Sequence, residues 1–221
     1  MGSYILLPGA GGSPWYWSRV VPLLEAAGHE AIAVDLPGAD PEAGLPEYTR
    51  IALEAIGDRK EYVLAAQSLG GFTAPLVAAA ASPRTLVLVN AMIPVPGETA
   101  GAWWDDTGWL AARTAAAEAG GYPTEFELGA YFLHDVPPEV AEEGAPHARP
   151  EADAAFLSTC GFDGWPASLR VVAGADDRFF PTDFQRRVAR ERVGVKTDVL
   201  PGGHLIAVAR PRELADYLLR L

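Results

Sequence analysis

Ser68 lies in the stretch Tyr62-Val63-Leu64-Ala65-Ala66-Gln67-Ser68-Leu69-Gly70-Gly71, an apolar run followed by one serine and two glycines. A strand that turns sharply into a helix with a serine at the corner is a nucleophile elbow, and the tight turn needs small residues two positions either side of the serine. Ala66 and Gly70 meet that need. Such a corner exposes the serine hydroxyl at the C-terminal edge of a sheet, at the positive end of the helix that follows. A serine that only caps a helix gives the same short pattern. Its partners must decide.

A serine hydroxyl is a weak nucleophile at neutral pH and needs a base, usually a histidine oriented by a carboxylate. The chain has four histidines. His29 sits in a turn before a strand-like run, and His134 and His147 fall in an irregular aromatic-rich region. His204 follows Pro201-Gly202-Gly203 directly after a strand-like run, and it is the candidate base. The carboxylate is expected at a strand end between Ser68 and His204, where Gly174-Ala175-Asp176-Asp177-Arg178 offers two. Asp177 is preferred because it stands three after Gly174 and four before Pro181; Asp176 is the alternative, otherwise free to cap or to bridge to Arg178. Acyl transfer also needs N–H donors for the developing oxyanion. The Leu69 amide, next after the nucleophile, is one, and Ala10 in Gly9-Ala10-Gly11-Gly12 is the expected second. That glycine loop lacks the Lys-Ser/Thr ending of a P-loop and the G-x-G-x-x-G spacing of a dinucleotide site.

These residues need a scaffold that gathers loop ends on one edge. Apolar runs at 4–7, 31–34, 62–67, 86–89, 169–173 and 195–200 read as strands. Helical patterns are expected at 15–27, 48–56, 69–81 and 211–219, with Pro75 kinking the third or delaying its first turn. The alternation implies an α/β fold with a six-stranded, mostly parallel, doubly wound sheet, whose ligands sit beyond the C-terminal strand ends. The alternation breaks between about 92 and 165, a stretch rich in Trp, Tyr and Phe but without strand character, read as a helical cap inserted after the fourth strand within one domain. Most of its aromatics are expected to pack the cap onto the sheet, and two or three to face a pocket.

Composition bounds the rest. The chain has 221 residues, 49% of them hydrophobic and 21% charged, as expected of a folded globular protein rather than a disordered one. A net charge of −12 argues against nucleic acid or an anionic membrane as partner. One cysteine, Cys160, excludes an internal disulfide and a cysteine-cluster metal site. No apolar stretch is long enough to cross a bilayer, and no signal peptide is expected before the first strand, so a cytoplasmic location is the default expectation.

The order Ser68, Asp177, His204, with a glycine-rich loop after the first strand and an insertion after the fourth, resembles the α/β-hydrolase superfamily. Pro8-Gly9-Ala10-Gly11-Gly12-Ser13-Pro14-Trp15-Tyr16-Trp17, Gly28-His29-Glu30-Ala31, Asp35-Leu36-Pro37-Gly38, Asn90, Phe179-Phe180-Pro181 and Gly203-His204 extend the likeness. Within the superfamily the chain resembles the branch of plant methylesterases, salicylate-binding esterases and hydroxynitrile lyases, with related bacterial esterases. That likeness implies a serine esterase for small or medium esters, with no metal and no cofactor. A ligand-binding protein with vestigial turnover, or a lyase, would be the alternatives. Gly9, Trp103, Trp104, Phe132 and Leu205 are the positions expected to line the substrate cleft.

Three departures accompany the resemblance. Pro8 replaces the family's usual histidine before the oxyanion glycine. Gly9 and Leu205 stand where similar lyases carry threonine and lysine, which disfavours a lyase. No counterpart of the superfamily's first two antiparallel strands precedes Tyr4. The assembly state is left open, with a homodimer among the options.

Overall fold

The computed structural model describes residues 2–221. Six strands, β1 (Ser3–Leu7), β2 (Glu30–Ala33), β3 (Tyr62–Gln67), β4 (Thr85–Val89), β5 (Leu169–Gly174) and β6 (Thr197–Leu200), form one sheet. Their spatial order is β2-β1-β3-β4-β5-β6 and every pairing is parallel, from Ser3↔Glu30 at one edge to Gly174↔Leu200 at the other. Between the strands run α1 (Val21–Ala26), α2 (Leu45–Ile56) and α3 (Gly70–Ala81). The long β4–β5 connection carries α4 (Ala100–Asp106), α5 (Trp109–Gly120), α6 (Leu128–Tyr131), α7 (Pro138–Gly144) and α8 (Asp153–Leu157). The C-terminal part adds α9 (Thr182–Val193), α10 (Ile206–Ala209) and α11 (Pro211–Leu219).

The sheet is covered on both faces, which is why its central strands read as unbroken apolar runs rather than alternating ones. Successive side chains still divide between the faces. Ile5, Leu7, Leu64, Ala66, Leu86 and Leu88 pack with α2, α3 and α9. Tyr4, Leu6, Val63, Ala65, Val87 and Val89 pack with α1, α10 and α11. The strand order reverses at β1, which pairs with β2 on one side and β3 on the other. In such sheets the crevice for ligand opens beyond the C-terminal ends of the strands at that switch point. Here those ends carry Gly9 and Ser68.

The helix expected over residues 15–27 is divided. Pro14–Trp17 forms a 3-10 turn capped by the Ser13 side chain, and α1 starts only at Val21. Pro22 is the reason: a proline lacks the N–H of a helix interior and fits the first turn, where that N–H has no partner. α3 runs from Gly70 to Ala81 with Pro75 inside it. β6 begins at Thr197 rather than 195, because α9 ends in a left-handed Gly194 at φ 66° and pairing to β5 starts at Val171↔Thr197.

The β4–β5 connection is fastened at its base. Gly97 N–H donates to the Cys160 carbonyl and Cys160 N–H to the Glu98 carbonyl, beside a single antiparallel bridge between Thr99 and Thr159. Arg192 on α9 reaches the same place, with its guanidinium 2.5 and 2.9 Å from the two Glu98 carboxylate oxygens. Glu98 is 3% exposed and Arg192 12%, so this pair is shielded from water and salt.

Candidate active site

Ser68 occupies the corner between β3 and α3 with φ 49°, a left-handed conformation that a non-glycine residue adopts only where its surroundings enforce it. The surroundings are close. Ser68 N–H donates to the Val89 carbonyl at 3.4 Å, and its own carbonyl accepts from Gly71 N–H and Met92 N–H, both at 3.0 Å. A Cβ at Gly9 would stand 2.8 Å from Ser68 Cβ, and one at Gly71 would collide with the Met92 carbonyl. Bare backbone is therefore needed on both sides of the elbow. The Ser68 side chain emerges ahead of the α3 N-terminus, whose partial positive charge favours a developing anion.

His204 follows β6 through Pro201-Gly202-Gly203 and is 1% exposed. Its Nε2 lies 3.2 Å from Ser68 Oγ and its Nδ1 lies 2.9 Å from Asp177 Oδ2. Donation of Nδ1–H to the carboxylate leaves Nε2 to accept the serine proton, the tautomer that a general base needs. Asp177 is fixed by every bond its carboxylate makes. Oδ1 accepts from Phe179 N–H at 2.9 Å and Phe180 N–H at 2.8 Å, and Oδ2 also accepts from Gln185 Nε2 at 3.1 Å. Asp176, the alternative, accepts from Gly202 N–H at 3.3 Å instead. Arg178 does not pair with it; its guanidinium bonds the Ala130 carbonyl and covers the Tyr122 ring.

The glycine loop after β1 runs alongside. Gly12 N–H closes a turn on the Gly9 carbonyl at 3.1 Å, and Gly11 N–H donates to Glu151 Oε2 at 2.5 Å. Among the described residues the Ala10 and Leu69 amides have no protein acceptor. Glu151 comes from the end of the β4–β5 connection and also accepts from Tyr48 Oη at 2.6 Å. Burial raises its carboxyl above the ordinary glutamate range, opposed by these two hydrogen bonds. A side chain from the inserted segment therefore fastens the loop that the family's usual histidine would adjoin.

Of the predicted cleft residues, Trp104, Phe132 and Leu205 line a 170 Å³ cavity together with Ser68, Leu69 and Ala10. Phe132 stacks on the His204 ring at 4.9 Å and 17°. Gly9 lies in the wall of a neighbouring cavity. Trp103 is a correction: it is fully buried beneath the site, donating Nε1–H to the Ile93 carbonyl and packing against Phe180 and Phe184. Adjacent helical residues point about 100° apart, and the rotation of α4 turns Trp104 to the cleft and Trp103 beneath it.

Several groups at the site had no role assigned from the sequence. Gln67 Nε2 lies 3.2 Å from His204 Nε2. Met92, Phe156 and Phe179 complete the 170 Å³ cavity. Asn90, fully buried with φ 45°, gives Nδ2–H to the Gly203 and His204 carbonyls while its Oδ1 accepts from Gly174 N–H at 2.6 Å. One amide thus ties the histidine loop to the aspartate loop. Its place at the end of β4 and its part in the family likeness were the signals in the sequence. None of the other histidines bonds Ser68: His29 accepts from Gly2 N–H, His147 stacks on Trp15 in the wall of the neighbouring cavity, and His134 adjoins Gly203. Cys160 is fully buried and its thiol is pushed up to about 12, so it offers no thiolate. No cluster of three or more metal-binding side chains occurs among the described residues, and no helix is long and apolar enough to cross a membrane.

Known proteins resemble this chain in sequence and in fold. A probable esterase of Oryza sativa subsp. indica is 28% identical across 99% of this chain and 95% of its own length. The alpha-hydroxynitrile lyase of Arabidopsis thaliana is 25% identical across 97% and 95%. In structure the chain is similar to polyneuridine aldehyde esterase, at TM-score 0.79 and 19% identity over 100% of this chain and 98% of that one. It is also similar to a pyrethroid hydrolase from Sphingobium faniae JZ-2, at TM-score 0.75 and 22% identity over 99% and 96%. The alpha/beta hydrolase family model matches residues 4–217, and the chain belongs to that family.

Proposed function

We propose that the protein is a carboxylesterase-like serine hydrolase that cleaves small or medium esters through an acyl-enzyme, with water as the acceptor. The observation that carries this is the unbroken relay from Ser68 Oγ through His204 to the Asp177 carboxylate. His204 Nε2 takes the Ser68 proton as Oγ attacks the ester carbonyl. The tetrahedral oxyanion is received by the Ala10 and Leu69 amides, which have no acceptor among the described residues. Collapse expels the alcohol, whose oxygen takes from His204 the proton that came from Ser68. Water, deprotonated by His204, then attacks the acyl carbonyl, and His204 returns that proton to Ser68 Oγ as the acid departs. The Asp177 carboxylate stabilises the imidazolium. Residues 92–165 act as the cap over this cleft.

A lyase using the same triad is disfavoured. Leu205 offers no cation beside His204, and a threonine at position 9 would meet Ser68 at the distance given above. A binding protein with vestigial turnover would retain the chamber and lose the chemistry. Purified Ser68→Ala, assayed against p-nitrophenyl acetate and butyrate, is expected to lose all turnover above background. Unchanged rates would remove Ser68 from the mechanism.

A further inference from the structure

A second cavity adjoins the first. It measures 330 Å³ and lies between the glycine loop and the inserted segment, walled by Trp15, Tyr16, Val136, Ala141 and Val208. The two cavities share Ala10, Gln67, Phe132 and Leu205. His204 is at this neck, stacked on Phe132 and followed directly by Leu205.

We infer that the substrate is an uncharged ester with two apolar arms, a one-ring acyl group and an alcohol as large as two fused rings. This rests on the reading of Ser68 as the nucleophile. The acyl arm stays bonded to Ser68 after the alcohol leaves, so it belongs in the chamber that holds Ser68 and the Leu69 amide. An apolar cavity of about 150 Å³ accommodates benzene, so 170 Å³ suits one ring and a short linker. Its walls are Met92, Trp104, Phe156 and Phe179, with no charged side chain to hold a second carboxylate. The ester oxygen must take its proton from His204 and so lies at the neck, which sends the alcohol into the larger chamber. That chamber has about twice the volume; of its polar lining, the Arg149 guanidinium is already paired with Asp35 at 2.8 Å and the His147 ring is stacked on Trp15. A methyl ester would leave it empty.

The test compares phenyl acetate, 2-naphthyl acetate and 2-naphthyl phenylacetate, whose leaving groups have similar acidity. In the wild type kcat/KM is expected to rise at each step, by about tenfold or more over the series, the scale on which apolar pockets discriminate. Ala141→Trp narrows the larger chamber and is expected to lower the 2-naphthyl acetate to phenyl acetate ratio by about tenfold. Turnover of phenyl acetate as fast as that of the two-armed ester would overturn the inference and leave ester hydrolysis standing. A ratio unchanged in Ala141→Trp would also overturn it, since the alcohol would then lie elsewhere. If the wild type hydrolyses none of the three, the esterase reading falls and this inference with it.

Discussion

His204 Nδ1 lies 2.9 Å from Asp177 Oδ2, with the His204 side chain 2% exposed and that of Asp177 0%. A pair this well shielded fixes the imidazole in one orientation and one tautomer. Asp177→Asn is therefore expected to lower kcat by about 10⁴-fold while the protein stays folded. Asp176 is exposed and bonds only the Gly202 amide, so Asp176→Asn should stay within about threefold of wild type, as surface substitutions do. Steady-state kinetics on the two variants decide between these neighbours. Equal losses would remove the distinction.

Glu151 makes a different prediction, because it touches no reacting atom. Its bond to Gly11 N–H holds the loop while the adjacent Ala10 amide stays unengaged. Glu151→Ala is expected to lower kcat by about tenfold or more with KM changed little, because the hole acts on the transition state. A glutamine can still accept from Gly11 and donate to Tyr48, so Glu151→Gln should recover most of the rate. A variant pair that loses equally in kcat and KM would assign Glu151 to general packing.

The same residue gives a pH dependence of stability. Its carboxyl pKa is raised in the folded state by burial. Its contribution is therefore most favourable below the unfolded-state value and is lost as pH rises through the folded one. Glu151→Gln does not titrate, so its stability relative to wild type should increase from pH 4 to pH 7. Urea unfolding at several pH values measures this. A difference independent of pH, or one of opposite sign, would contradict the assignment.

Arg192 and Glu98 bear on stability alone. Arg192→Met leaves a buried carboxylate unpaired and is expected to cost about 3–5 kcal/mol. Replacing both, with Glu98→Leu added, should recover much of that loss, because the cost lies in the orphaned charge. Thermal or urea unfolding reads both. A double variant as unstable as the single one would mean that the pair acts through shape.

The fold was legible because a parallel sheet buried on both faces leaves short apolar runs separated by helix patterns. The helix at 15–27 misled because Pro22 ends one turn and opens the next, and periodicity alone does not register that. Ser68 stood out through the small residues its strained turn demands. His204 stood out because few histidines compete with it. Trp103 and Trp104 could not be told apart, since which of two neighbours faces a cleft depends on a helix rotation fixed only by packing. Asn90, Gln185 and Glu151 act through contacts between loops remote in sequence, and no local pattern marks such contacts.

Ester hydrolysis by this site requires Ser68 to be an activated nucleophile. Intact wild-type protein treated with a fluorophosphonate, digested and examined by mass spectrometry, measures that directly. The account predicts one adduct, on Ser68, absent from Ser68→Ala and strongly slowed in His204→Ala. Folded wild-type protein that takes up no label, or takes it up at another residue, would contradict it.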